Sequence, residues 1–231
     1  MILTIHQPEY LPWASFFDRV QKSDVLIFLD DVGYQKNGFI NRNKIKTKNG
    51  ATYLTVPVLG RSPNLRINEV LIDNSKNWQK SQLSIIKENY SKAPYFKDYY
   101  HFFEETLRRG SGQAWEKVCD LDVYLIKNII GFLGIKNKIE TASELKIEST
   151  KTERLVEICK KMGADTYLSG PGGKNYMDLS LFEKENIKVV FCDLVSPKYN
   201  QQYGEFLPGM SVIDLLFNEG PKSLKIIQSY G

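Results

Sequence analysis

The sequence predicts an α/β fold: a mainly parallel, Rossmann-like sheet with an inserted β-hairpin and a helical subdomain. Three observations carry this prediction. Short apolar runs of strand length open the chain at 2–5 and 25–29 and return at 166–169 and 187–193. Helical apolar spacing separates the members of each pair, so strand and helix alternate as they do in parallel sheets. Between the two halves an Asn49-Gly50 pair stands between extended stretches and marks a hairpin, because that pair tolerates positive φ.

Ile2–Ile5 reads as a short buried strand. The chain then turns through His6-Gln7-Pro8-Glu9-Tyr10, and a helix is expected from Leu11 with Pro12 in its first turn. Trp13, Phe16, Phe17 and Val20 fall at i, i+3, i+4 and i+7 and make one apolar face. Val25–Leu29 is the next strand and ends at Asp30-Asp31. Residues 35–49 are polar and basic, and Ile45–Lys48 with Thr52–Val58 form the two arms of the ribbon. Alternation puts Lys44, Lys46 and Lys48 on one face of it. That face reads as a solvated, charged edge that discourages sheet-to-sheet association.

The middle of the chain is helical. Trp78–Lys92 stops ahead of Pro94, which disfavours helix in the residue before it. Phe96, Tyr99, Tyr100, Phe103 and Leu107 mark another apolar face, broken at Gly110-Ser-Gly112, and Gln113–Leu133 follows. Residues 75–145 are read as a helical subdomain of a single domain spanning 1–231. Thr150-x-x-Glu153 has the pattern of a capping box, and Gly163 suits the end of the helix it starts. Thr166–Ser169, the stretch Gly170-Pro-Gly-Gly-Lys174, a short helix and Ile187–Asp193 complete a second β-loop-α-β unit. Ser211–Asn218 is the last firm helix, ended by Gly220-Pro221.

The formal net charge of +4 is too mild to argue for a nucleic-acid binder and fits one anionic ligand. Thirteen Tyr and three Trp supply rings with polar tips, which suit both core packing and the holding of sugars or bases. The three cysteines, at 119, 159 and 192, have neither zinc spacing nor a disulfide pattern, as expected for a cytoplasmic protein. The opening MILTIHQPEY lacks a basic leader and a long apolar stretch, and no apolar run approaches the roughly 20 residues of a membrane span. Neither secretion nor membrane insertion is expected.

In open α/β sheets, ligands bind beyond the carboxyl ends of the strands. Loops 6–10, 30–31 and 169–176 share that edge if their strands are parallel neighbours. His6 follows a strand directly, and an imidazole suits acid–base work; the competing reading is a hydrogen-bonded histidine in a tight turn. Asp30-Asp31 suits a divalent ion, the orientation of His6 or a ribose hydroxyl; the competing reading is the capping of a turn. Gly170-Pro-Gly-Gly-Lys174 has the composition of a phosphate loop without the Walker A spacing, and its amides suit an anion; the competing reading is a plain strand-to-helix turn. Asn41-Arg42-Asn43 suits ligand binding, with Arg42 as a bidentate partner for phosphate. No metal ligand set and no cofactor is assigned.

The segments IHQPEYLPWASFFDRV, FLDDVGYQKNGFINRNKIKTKNG, YLTVPV, KAPYF, GADTYLSGPGGKNYMD and PGMSVIDLLFNEG, in this order, resemble the WbqC-like protein family over nearly the whole chain. The HQPxYLPW and INRNxIKTxNG blocks are the specific ones; Ala14-Ser15 stands where a small residue followed by Gly is expected. Members of that family occur with enzymes that make O-antigens and modified amino sugars. The resemblance therefore implies N-acyl or aminoacyl transfer, such as glycyl transfer, to a nucleotide-linked amino sugar. The donor would be an acyl-carrier thioester, an aminoacyl-tRNA or an amino acid activated by ATP. In this reading His6 accepts the proton of the attacking amine, and Asp30 or Asp31 orients His6 or the ammonium. Gly172, Gly173 and Arg42 hold the diphosphate, while Tyr10, Trp13 and Tyr176 stack on base or sugar. Gln7, Asn41, Ser169 and Gly170 complete the expected substrate contacts.

A remoter likeness joins residues 6–13 to the F-x-P-x-H-x-G-H loop of HIGH-type nucleotidyltransferases. Tyr10 and Trp13 stand where that motif has its histidines, and Pro12 stands for its glycine. Two other readings therefore stand beside the transferase. One is a HIGH-like nucleotide-dependent ligase or nucleotidyltransferase, marked by Mg-ATP dependence and pyrophosphate release. The other is a non-catalytic sugar-nucleotide binding partner, marked by binding without turnover.

Overall fold

A computed structural model describes residues 1–59, 65–108, 114–193 and 196–229. The chain opens with β1 (Ile2–His6), α1 (Ala14–Gln21) and β2 (Val25–Phe28). The helix starts three residues later than its apolar spacing suggests. Leu11 takes φ +47, Trp13 is extended as the N-cap, and the Pro12 carbonyl accepts from Val212 N–H instead of opening a helix. The predicted hairpin is present as β3 (Arg42–Thr47) and β4 (Gly50–Thr55). Thr47 pairs with Gly50, so the loop is Lys48-Asn49, and Gly50 takes the positive φ of +101. A second, short antiparallel pair follows, β5 (Val58–Leu59) with β6 (Leu71–Ile72).

Three helices come next: α2 (Trp78–Tyr90), α3 (Phe96–Arg108) and α4 (Val118–Phe132). The break expected at 110–112 lies outside the described residues. The helical stretch read over 75–145 ends at Phe132, because β7 (Lys138–Thr141) returns to the sheet and pairs in parallel with β2. Beyond it lie α5 (Lys151–Met162), β8 (Thr166–Ser169), α6 (Leu179–Lys184), β9 (Lys188–Phe191), α7 (Val212–Glu219) and α8 (Ser223–Gln228). The capping box expected at Thr150 does not form: Thr150 makes no side-chain cap bond, and Lys151 takes φ +53. Gly163, at φ +71, closes α5 as expected.

The central sheet has the order β7-β2-β1-β8-β9, and every neighbouring pair is parallel. Counted along the chain this is 3-2-1-4-5, the doubly wound order, which reverses between β1 and β8. Strand alternation splits the core in two. Leu3, Ile5, Val25 and Ile27 face α5 and α6, whereas Leu26 and Phe28 face α1, the middle helices and α7. Both faces of the sheet are thus covered, as parallel sheets require.

The hairpin belongs to this core and locks the loop after β1. Asn43 Nδ2 donates to the Leu11 carbonyl at 2.9 Å, and Ser211 N–H donates to the Lys44 carbonyl at 2.7 Å. Lys46 departs from the solvated edge expected of it. It is 3 % exposed, donates to the Glu205 carbonyl and adds its charge to the surroundings of Asp214, whose carboxylate also accepts from Tyr90 Oη at 2.6 Å. A lysine so placed ties the ribbon to α7.

Candidate functional site

The winding reverses between β1 and β8, and beyond their carboxyl ends lies the place where doubly wound sheets hold ligands in a crevice. Beneath it the two strands are clamped by Thr4 Oγ1, which donates to the Leu168 carbonyl at 2.8 Å. The loop to α1 borders one side and the 3₁₀ turn Pro171–Asn175 the other. Arg19 rises into this region from α1. It is 8 % exposed, and its Nε has no hydrogen-bond partner among the described residues. Its Nη1 lies so close to Gly170 that a Cβ there would stand 2.3 Å away, so a side chain at 170 would displace the guanidinium from its present position.

Two acid–base groups feel the Arg19 charge. Glu9 has a buried carboxyl oxygen without a partner among the described residues. Burial pushes its carboxyl up to about 7, against the opposing pull of Arg19. His6 sits with its ring edge-on to Phe16 at 4.9 Å, and its Nδ1 lies 2.7 Å from the Gln7 carbonyl. A carbonyl only accepts, so Nδ1 carries the hydrogen and Nε2 keeps its lone pair. Burial first and Arg19 second hold the imidazole down to about 3. His6 is therefore neutral near pH 7 and a weak base. On the helical side of Glu9 lies Asp122 of α4, fully buried, with neither carboxyl oxygen bonded among the described residues. Burial and then Glu9 hold its carboxyl well above the usual range.

The residues expected from the sequence divide into two groups. Gln7, Trp13, Gly170, Gly172 and Tyr176 border the crevice on its two loops, and Tyr176 is 65 % exposed. Trp13 is half-buried and packs edge-on to Phe39 at 4.6 Å. Gly173 is buried, and a Cβ on it would meet Ser169 Oγ at 2.4 Å. Ser169 is itself buried and donates to the Gly170 carbonyl at 3.0 Å, which shapes the turn from within.

Other expected residues are occupied inside the fold. Tyr10 is fully buried and donates to Gln82 Oε1 at 2.6 Å, so it offers no open ring for stacking. Asn41 is buried between the Val56 carbonyl at 2.8 Å and Tyr34 Oη at 3.0 Å. Arg42 lies 4.7 Å over the Tyr53 ring and donates to the Asn37 and Gly38 carbonyls. Asp30 and Asp31 turn to partners other than His6. Asp31 pairs with Arg154 of α5. Asp30 accepts from Ser143 Oγ at 2.6 Å, Ser143 N–H at 3.0 Å and Asn68 Nδ2 at 3.2 Å, and so braces two distant segments instead of capping the turn that follows it. Asp30→Ala should therefore cost about 2 kcal/mol of stability in a urea titration, because it removes a buried carboxylate that holds three part-buried donors. A loss below about 1 kcal/mol would show that these bonds hold little. Among the described residues no group of three or more His, Cys, Asp or Glu is placed to hold a metal ion.

Glu9, Arg19 and Asp122 escaped the sequence reading. Nothing in their spacing marks them as buried, and the one available signal was that Glu9 and Arg19 fall inside the segment IHQPEYLPWASFFDRV. Compared with known proteins, residues 7–226 match the WbqC-like protein family, so the match takes in the loops beside the crevice from Gln7 on and four of the five sheet strands, and begins just after β1. The chain belongs to the WbqC-like protein family. This WbqC-like chain is also 32 % identical over 223 residues to "Uncharacterized protein Rv1507c" of Mycobacterium tuberculosis (strain ATCC 25618 / H37Rv), covering 96 % of this chain and 95 % of the relative. No solved structure matches it. Among its described residues no helix is long and apolar enough to cross a membrane.

Proposed function

We propose that this WbqC-like protein forms an amide on the amine of a nucleotide-linked amino sugar. It would be an N-acyl or aminoacyl (glycyl) transferase of surface-polysaccharide synthesis, acting in the cytosol. The observation that carries the reading is Glu9: a carboxyl at the sheet reversal, in the field of Arg19, with a buried oxygen that has no partner among the described residues, and burial pushes it up to about 7. A general base works best with its pKa near the working pH, and burial is the usual means of raising a carboxyl there. The sugar and its setting come from the family.

In this mechanism Glu9 takes a proton from the substrate ammonium. The freed nitrogen adds to the donor carbonyl carbon, the C–N bond forms, and the C–S or C–O bond to the departing group breaks. One ammonium proton leaves with the thiol or hydroxyl, one is released to solvent through Glu9, and one stays on the amide. His6 accepts a hydrogen bond from the amine or a sugar hydroxyl through Nε2, as a neutral positioning group. Arg19 and the backbone of the 170–173 turn receive the diphosphate, and Trp13 and Tyr176 flank the base or sugar.

A HIGH-like ligase is the second reading, favoured by the 3-2-1-4-5 order with the β1–α1 loop at the reversal. One experiment separates these readings. The protein is incubated with dTDP- and UDP-amino sugars and a panel of acyl-carrier, aminoacyl-tRNA and amino acid donors, with and without Mg-ATP, and products are weighed by mass spectrometry. A sugar nucleotide heavier by one acyl group, formed without ATP, is the expected result. Pyrophosphate release that depends on Mg-ATP would assign the ligase instead. Tight binding with no product from any donor would make the protein a binding partner.

A further inference from the structure

Two clefts open beyond the carboxyl ends of β2 and β7, on the far side of β1 from the reversal. The first has a volume of about 700 Å³ and the second about 580 Å³, each within the range of small-molecule sites. Asn68 and Ser143 line both, so the clefts adjoin at these two side chains as the lobes of a two-part trough. The junction is fixed from below by Asp30, which holds both residues.

The two lobes differ in charge. The first carries four cationic side chains, Arg66, Lys146, Lys151 and Arg154, against the carboxylates of Asp31 and Glu148. The first turn of α5 also opens into it, and Thr150 leaves the amides of that turn without a side-chain cap. Arg154 is 9 % exposed; its terminal nitrogens are held by Asp31 and the Ile147 and Ser149 carbonyls, while its Nε lacks a partner among the described residues, so the open cations of this lobe are Arg66, Lys146 and Lys151. The second lobe reverses the balance, with Asp30, Glu69, Asp120 and Glu144 against two lysines. Two rings, Trp115 and Tyr124, also line it.

We propose that this trough binds a nucleoside phosphate, with its phosphates in the first lobe and its base in the second. Cationic side chains and helix amides suit the phosphates. Carboxylates suit the amino and imino donors of a base and the ribose hydroxyls, and rings suit its planar face. The reverse orientation would set phosphates against four carboxylates. The site is separate from the crevice beneath which Arg19 lies and does not depend on the chemistry proposed there. It would give the protein a second, phosphate-bearing ligand beside the one at the sheet reversal.

Titration calorimetry of the whole protein with ADP, GDP, CDP and UDP tests this. At least one should bind with a Kd below about 1 mM. The double variant Lys146→Glu/Lys151→Glu changes two exposed residues and should weaken that binding about tenfold or more, with an unchanged melting temperature. Inorganic pyrophosphate should compete in the wild type and not in the variant. The proposal is overturned if no diphosphate binds, or if the double variant binds as the wild type does. It is equally overturned if binding survives the double variant but is lost in Arg19→Met, which would place the nucleotide in the crevice.

Discussion

Glu9→Gln should lower turnover on the amino-sugar substrate by about 10²–10⁴-fold, the usual worth of a positioned base. The pH profile identifies the cause. With the Glu9 carboxyl at about 7, wild-type kcat/KM should fall tenfold per unit below that pH as the base takes up its proton. The residual activity of the variant should lack this limb. A glutamine variant that keeps both rate and limb would remove Glu9 from the chemistry.

Stability offers a check that needs no substrate. Folded Glu9 keeps its proton up to about pH 7, whereas an unfolded glutamate releases it near 4.5. The native state therefore holds the extra proton between these values, and stability falls as pH rises through that window. His6 has the opposite sign. Its folded value of about 3 lies below the ordinary 6.5, so stability falls as pH drops through that range. The two slopes offset each other between pH 4.5 and 6.5, which makes the difference between variant and wild type the informative quantity. At pH 8 Glu9→Gln should gain up to about 3 kcal/mol in chemical unfolding. No gain would mean that ionised Glu9 is well solvated.

Arg19→Met should have the second largest effect. The thioether keeps the length and apolar stem of the arginine without its charge. If Arg19 receives the diphosphate, affinity for the sugar nucleotide should fall by about 10- to 150-fold, the equivalent of a charge-assisted bond of about 1.5–3 kcal/mol. The melting temperature should stay level or rise, since a buried guanidinium with an unbonded Nε is costly to the empty protein. Loss of binding with gain of stability is the signature of a residue kept for its ligand. Wild-type affinity in the variant would return Arg19 to a packing role.

Much of the sheet was legible because β1, β2, β8 and β9 are short apolar runs that end at polar loops. The strand β7 was not. Its sequence Lys-Ile-Glu-Thr has one apolar residue, since an edge strand held on one side only needs little apolar surface. The candidate site was legible in place and less so in membership. Loop positions after β1 and β8 follow from parallel winding, whereas the burial of Glu9 and Arg19 is a tertiary property. Asp30 shows the converse: a carboxylate at a strand end looks functional in one dimension and proves to be a brace between two segments. Lys46 looked solvated because its alternation partners are lysines, yet the 205–211 segment covers it and its ammonium donates to the Glu205 carbonyl.

The clamp between Thr4 and Leu168 spans 164 residues of chain. On a ribosome adding about 5–20 residues per second, one edge of the nascent first strand waits roughly ten to thirty seconds for its partner. Its other edge is satisfied far sooner, when β2 emerges, so the earliest native unit is a two-stranded ribbon bare on both outer edges, β2 until β7 is made and β1 until β8 is made. Pro12 is likewise held by a segment made much later, since Val212 supplies the donor to its carbonyl. Residues of β1 and the loop after it are thus made long before they reach their final geometry. A chain truncated before α7 would keep the sequence of the crevice without the means to shape it.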